Sequence, residues 1–251
     1  MKKAVSVILA LALILTMAAC GSKSEEKNKD GHVADKYHAM LDGDDARYYY
    51  EADVEDEFLD EGVQDEDAEG PTKSVMAEGR DGKDRFALME GEEKLENRQV
   101  DIDKVSYMIS DADKEYTKEE LEAEDETKLA YVKTDQMELD GKTYKYDEYQ
   151  DSYEMPAEPE EGEEVDEEAM DTYLYIKRFL VDDQGELVAL VYRQEMKGEE
   201  GQENTPIYQR IEKITQLKDS APEELFEIPK DYKEVEDLDQ GEDDEELSEE
   251  E

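Results

Sequence analysis

Tyr48-Tyr49-Tyr50-Glu51-Ala52-Asp53-Val54-Glu55-Asp56-Glu57-Phe58 is the stretch that decides the fold. Its even positions read Tyr48, Tyr50, Ala52, Val54, Asp56 and Phe58. Its odd positions read Tyr49, Glu51, Asp53, Glu55 and Glu57. Alternation at period two puts a mostly apolar face and a wet face on an extended chain, which is the pattern of a half-buried strand.

Outward from this strand, the sequence offers hairpins. Ser74–Gly79 and Arg85–Glu90 flank Asp81-Gly82, and Met137–Leu139 and Lys142–Tyr149 flank Asp140-Gly141. Thr172–Val181 and Leu187–Glu195 flank Asp182-Asp183-Gln184-Gly185. Asp-Gly suits a tight hairpin because both residues tolerate positive φ. Hairpins in series make an antiparallel meander. Val105–Ile109 and Tyr208–Leu217 read as further strands.

Helical signals are fewer. Val33, Tyr37 and Leu41 recur at i, i+4 and i+8, which predicts one amphipathic helix over 31–42. Thr117-Lys-Glu-Glu120 reads as a capping box opening a short helix through Leu121 to about Ala123. Ser220-Ala-Pro-Glu223 is a second box, with Pro222 early in its helix. The expected class is mainly β (α+β), with two or three short helices. Strand 172–181 carries Leu174, Ile176 and Leu180 on one face but Tyr173, Tyr175 and Phe179 on the other. Strands in the middle of a sheet read this way when both faces are covered, here by short helices or by a bound apolar molecule.

The chain has 77 acidic and 29 basic residues among 251, a formal charge of −48. Such a chain repels nucleic-acid phosphates and anionic headgroups at close range. Weak divalent cations, basic peptides or cationic wall sites are the partners its charge admits, and the same charge serves plain solubility. Residues 154–168 and Asp237 to Glu251 are nearly free of large apolar side chains and are expected to be disordered. Gly21–Asp30 reads as a polar tether.

Lys2 and Lys3 precede an apolar run from Ala4 to Met17, then Ala18, Ala19 and Cys20, the one cysteine of the chain. A charged n-region, an apolar h-region and small residues make a signal peptide. The run is too short to span a membrane, which takes roughly 20 apolar residues. A cysteine directly after the small residues resembles the lipobox of bacterial lipoproteins. That resemblance implies cleavage before Cys20 and a diacylglycerol on its thiol. It divides the chain into a signal peptide (1–19), a membrane tether (20–30), a folded body (31–235) and an acidic tail (236–251). It places the protein on the extracytoplasmic face of a bacterial cell membrane. The alternative is an ordinary secretory signal with a chance cysteine.

The body carries a second resemblance. A helix precedes a tyrosine-bearing strand, and a hairpin over Met76–Met89 leads to Val105-Ser-Tyr-Met-Ile and then Lys114-Glu-Tyr116. The body closes on Leu225-Phe-Glu-Ile-Pro-Lys-Asp-Tyr232. This resembles the LolA-like and LppX-like lipoproteins. The resemblance implies a curved antiparallel half-barrel with short helices on its concave side and a cavity for acyl chains of lipids or lipoproteins. Candidate cavity-lining residues are Tyr48, Tyr50, Val54, Phe86, Leu88, Tyr107, Ile109, Tyr144, Tyr146, Tyr173 and Tyr175. Each buried methylene of such a chain contributes roughly 0.8 kcal/mol. The family's soluble carriers are not acylated, so a tethered member would receive or sense cargo, not shuttle it. The acidic insertion at 154–168 is outside the family pattern. The competing reading is a non-catalytic envelope-sensing or protein-interaction module whose core is filled by its own side chains, and a monomer is expected in either case. Sixteen tyrosines against four phenylalanines fit either a cavity lining or tyrosine's preference for half-exposed strands.

Nothing in the sequence proposes catalysis or a cofactor. His32 and His38 are six apart, on different faces of a helix, and make a poor metal pair. There is no Gly-x-Ser-x-Gly elbow and no glycine-rich phosphate loop. Asp65-x-Asp67-x-Glu69-Gly70 starts like a calcium loop but has Met76 where the bidentate Glu belongs. Asp111-x-Asp113-x-Glu115 reaches Glu122 but has Tyr116 in place of the turn glycine. In a chain this acidic, half-matches of this kind arise by chance.

Overall fold

The computed structural model describes residues 32–43, 45–59, 70–90, 97–121, 129–156, 170–198, 202–236 and 238. They form one twelve-stranded sheet. Its strands are β1 (Arg47–Phe58), β2 (Thr72–Asp81), β3 (Asp84–Glu90), β4 (Asn97–Ile102), β5 (Val105–Ser110) and β6 (Glu115–Glu120). They continue with β7 (Ala130–Leu139), β8 (Lys142–Pro156), β9 (Met170–Val181), β10 (Leu187–Met196), β11 (Thr205–Lys218) and β12 (Lys233–Glu234). The spatial order is β12-β6-β5-β4-β3-β2-β1-β11-β10-β9-β8-β7. Every pairing is antiparallel except that of β12 on β6. The chain winds outward from β1 to β6, then starts again at the other edge with β7 and winds back to close on β1.

Local chemistry explains most of the turns. Asp140 (φ 52°) and Gly141 (φ 73°) both take the left-handed conformation, the two-residue turn expected of Asp-Gly. Asp182 Oδ1 accepts the N–H groups of Gln184 and Glu186, tying the β9–β10 turn. The β2–β3 turn lies one residue later than expected. Asp81 pairs with Asp84, so Gly82 and Lys83 make the turn. Asp103 (φ 51°) and Lys104 (φ 67°) turn β4 into β5 without any glycine, so the sequence does not announce it.

Two of the three helical expectations need correction. Helix α1 (Asp35–Asp42) forms and buries Tyr37 and Leu41, as the spacing predicts. Thr117–Glu120, however, belongs to β6, with Thr117 opposite Met108 and Glu120 opposite Val105. A capping box satisfies helical N–H groups, but here the neighbouring β5 offers the same groups a ladder, and pairing overrides the local signal. The second box gives only a 3-10 turn at Glu223–Phe226, with Pro222 extended (φ −61°, ψ 131°) and no side-chain cap. Ser220 turns its hydroxyl to Asp219 instead. The acidic insertion is also shorter than read: 154–156 continue β8, while 157–169 and most of the tail lie outside the described residues.

The two helical pieces lie on opposite faces. Tyr50 pairs with Glu78, and Glu78 with Ala87, whereas Tyr49 pairs with Gly79, and Gly79 with Phe86. Helix α1 packs Ala34, Tyr37 and Leu41 on the Tyr48–Tyr50 face, with Tyr149, Phe179 and Leu190. The 3-10 turn packs Leu225 and Phe226 on the Tyr49 face, with Phe86, Val100 and Ile109. Gly79 permits that approach: a Cβ there would sit 3.0 Å from the Ala221 Cβ. Arg98 fixes the same segment by donating to the carbonyls of Leu225 (3.2 Å) and Glu227 (3.3 Å). On the α1 side of β4–β5, Gln99 donates to Asp101 (3.0 Å) and Ser106 (3.1 Å).

The start of α1 is held from across the sheet. Asp147 of β8 is fully buried, and its Oδ2 accepts the N–H groups of Val33 (2.8 Å) and Ala34 (2.7 Å). A carboxylate at this end satisfies N–H groups the helix cannot bond itself and meets the positive end of its dipole. His38 stacks on Tyr149 at 3.9 Å. Lys177 Nζ donates to Asp42 Oδ1 (2.6 Å) at the helix's other end.

Candidate functional site

The α1-side face gathers tyrosines around a buried ionic network. Arg210 and Glu212 on β11 have side chains 2% and 3% exposed and are joined at 2.7 Å. Glu212 Oε2 accepts the Tyr50 hydroxyl (2.9 Å), and Tyr50 also reaches Glu78 Oε2 (3.0 Å). Tyr48 donates to the other oxygen of Glu78. Arg210 Nη1 lies 3.7 Å from Asp56, its Nη2 points at Met76 Sδ (3.0 Å), and Tyr208 donates to Asp56. Tyr175 and Tyr192 lie beside this network, their ring centres 6.3 Å apart. Lys177 Nζ stands 5.0 Å from the Phe179 ring centre and 5.3 Å from that of Tyr192. Arg210, Glu212 and Lys177 are tolerated inside because each meets an opposite charge and a hydrogen bond.

The electrostatics follow from burial. The Tyr48, Tyr50, Tyr175 and Tyr192 hydroxyls are pushed well above their usual pKa, first by desolvation and then by nearby carboxylates. Burial also raises Glu212, while Arg210 and the Tyr50 hydroxyl pull the other way. Burial opposes the Arg210 charge, yet Glu212 and Asp56 outweigh it and hold its pKa above the ordinary value. Phenols held neutral in this way donate hydrogen bonds; they do not exchange protons near neutral pH.

The cavity-lining candidates do not share a face. Tyr48, Tyr50, Val54 and Tyr175 belong to the α1-side core, and Tyr173 lies on the same face opposite Tyr153. Phe86, Tyr107 and Ile109 pack with the 3-10 segment on the other face. Leu88 pairs with Arg98 in the β3–β4 ladder. Tyr144 and Tyr146 also point away from α1, in a third cluster with Leu180 and Val191. A single cavity lined by all eleven is therefore excluded. The expectation went wrong because strand phase is legible within one strand but not between strands.

The residues that sequence reasoning missed are Glu78, Asp147, Lys177, Arg210 and Glu212. One signal was available. In Tyr208–Leu217, Arg210 and Glu212 fall on the phase of Tyr208, so an inward face carries opposite charges two apart.

The described acidic motif, Asp111 to Glu115, makes ordinary ion pairs and hydrogen bonds. Asp111 accepts from Arg98 Nε (3.0 Å) and from the Tyr232 hydroxyl (3.0 Å). Asp113 accepts from Ser110 (2.8 Å), and Glu115 meets Lys233 (3.3 Å). Glu122, Asp65, Asp67, Glu69 and Cys20 lie outside the described residues. A hollow of about 370 Å³ lies on the face away from α1, lined by Asp53, Glu55, Lys73, Val75 and Lys213 among others. Lys73 and Lys213 both reach Glu55 across it, at 3.4 and 3.2 Å. Among the described residues, no helix is long and apolar enough to cross a membrane.

No family model matches the chain. No curated protein matches it either. Among solved structures it is similar to an uncharacterized conserved protein from Thermus thermophilus, at 11% identity over 81% of this chain and 96% of that one, with a TM-score of 0.38. A likeness at that level carries no argument about fold or function.

Proposed function

We propose that this chain is a non-catalytic extracytoplasmic interaction module, held at a bacterial membrane by acylated Cys20, with a LolA-like half-barrel that curves around α1 and is filled by its own side chains. The observation that carries this reading is the closure of the α1-side centre. Tyr48, Tyr50, Tyr149, Phe179 and Leu190 are 0–4% exposed there. An acyl chain in their place would have to displace α1 and lie against Arg210, Glu212 and Lys177. Contact with hydrocarbon would strip those charges of their partners, at a cost that burial of methylenes does not offset. The net charge of −48 favours a basic protein surface as partner.

The carrier reading keeps one supporting feature. Tyr153 and Tyr173 stack at 5.6 Å and are half-buried beyond the helix, an aromatic patch on the α1 face. Titration of the protein with a fluorescent fatty acid separates the two. The module reading expects no saturable signal at micromolar probe; a saturable one-to-one complex, weakened by Tyr173→Ala, overturns it.

A further inference from the structure

His32 stands just ahead of α1, and its side chain is 8% exposed. Its Nδ1 is buried and makes no hydrogen bond, although Asp35 Oδ1 lies only 2.9 Å away. That close contact is favourable when the imidazole is protonated or when a cation lies between the two groups. One ligand atom from each of His32, Asp35 and Asp147 lies within 4.8 Å of the others. Two donors at about 2.1 Å from a tetrahedral ion stand about 3.4 Å apart. The widest pair of the group therefore closes on an ion by up to about 1.4 Å.

The surroundings also fit a ligand set. Asp147 is oriented by three hydrogen bonds, from the N–H groups of Val33 and Ala34 and from Thr134 Oγ1 (2.5 Å) to its Oδ1. Outer bonds of this kind fix a ligating carboxylate, and Oδ1 retains a lone pair. The His32 ring is pinned against Tyr131 at 3.7 Å. Asp35 is half-exposed, which leaves a path from solvent. Here His32 works with two aspartates and not with His38, which is why spacing along the chain did not reveal the site.

We propose that His32, Asp35 and Asp147 bind a divalent transition-metal ion, zinc foremost, that clasps the start of α1 to β8. One imidazole nitrogen selects zinc or cobalt over calcium and magnesium, and two carboxylates balance the charge. Three protein ligands leave a position for water.

The test is zinc and cobalt titration of the full chain, without a polyhistidine tag and with millimolar calcium present to saturate the acidic surface. The expected result is one equivalent bound, with visible cobalt bands, and affinity weakened at least about tenfold by His32→Gln and by Asp35→Asn. His38→Gln leaves binding unchanged. Asp35→Asn sits at a half-exposed position, and circular dichroism of each variant confirms that it is folded. Zinc binding that survives His32→Gln is adventitious attraction to acidic surface and overturns the proposal, as does no binding at all.

Discussion

Raising the pH past about 10 is expected to unfold this protein cooperatively, and the cause is its own tyrosines. Tyr48, Tyr50, Tyr175 and Tyr192 are 2–7% exposed and held neutral well above the ordinary tyrosine range by burial and adjacent carboxylates. In the unfolded chain the same phenols ionise near 10. The folded state thus keeps protons that the unfolded state releases. The stability they contribute is fully present below about pH 10 and is lost as the pH rises toward their folded pKa values. Each tyrosine removes about 1.4 kcal/mol per pH unit in that window, so the four together remove about 5 kcal/mol per unit. Domain stabilities are about 5–15 kcal/mol, so unfolding falls within a few units above pH 10. Loss of lysine charge acts in the same direction by increasing self-repulsion in an already acidic chain. The two causes are separable by following tyrosinate absorbance and far-ultraviolet circular dichroism together. A group of tyrosines should ionise in one late step, coincident with loss of strand signal. Smooth ionisation of all tyrosines near 10 with the sheet intact contradicts the buried arrangement.

Arg210→Ala is the most damaging single substitution expected. It leaves Glu212 as a buried carboxylate whose remaining bond is to Tyr50, and removes the counter-charge near Asp56. Breaking one partner of a buried pair costs about 3–5 kcal/mol, read as a lowered urea midpoint at pH 7. Removing both charges together, as Arg210→Met with Glu212→Leu, should recover at least about half of that loss, because no charge is stranded. The loss also has a pH signature. Burial already raises Glu212, and Arg210 is the chief influence opposing that rise. Without Arg210 the carboxyl takes up a proton more readily, so the variant's deficit shrinks as pH falls. A loss below about 1 kcal/mol that does not change with pH would mean the pair is not desolvated in solution.

The sequence made strands easy to see and their faces hard to relate. Tyr48–Phe58 reveals its inward side because successive residues alternate, and Asp140-Gly141 reveals its turn because both positions need positive φ. Neither carries information about which side of β1 matches which side of β3. That relation is set by register, through pairs such as Tyr49 with Gly79 and Gly79 with Phe86. Phe86 and Tyr50 therefore looked like neighbours in one cavity and lie on opposite faces. Thr117–Glu120 shows the converse failure. Its local signal is a true capping pattern, and a neighbouring strand cancels it. Asp147 was unreadable for a third reason, since it caps a helix more than a hundred residues away.

The self-filled core is tested most directly by native mass spectrometry of the Cys20→Ala chain from residue 20 onward, purified from cells and sprayed without detergent. A mass free of lipid is expected in every preparation, whether or not the metal ion of the α1 site is retained. A stoichiometric lipid adduct that survives purification and is lost in Tyr173→Ala would contradict it.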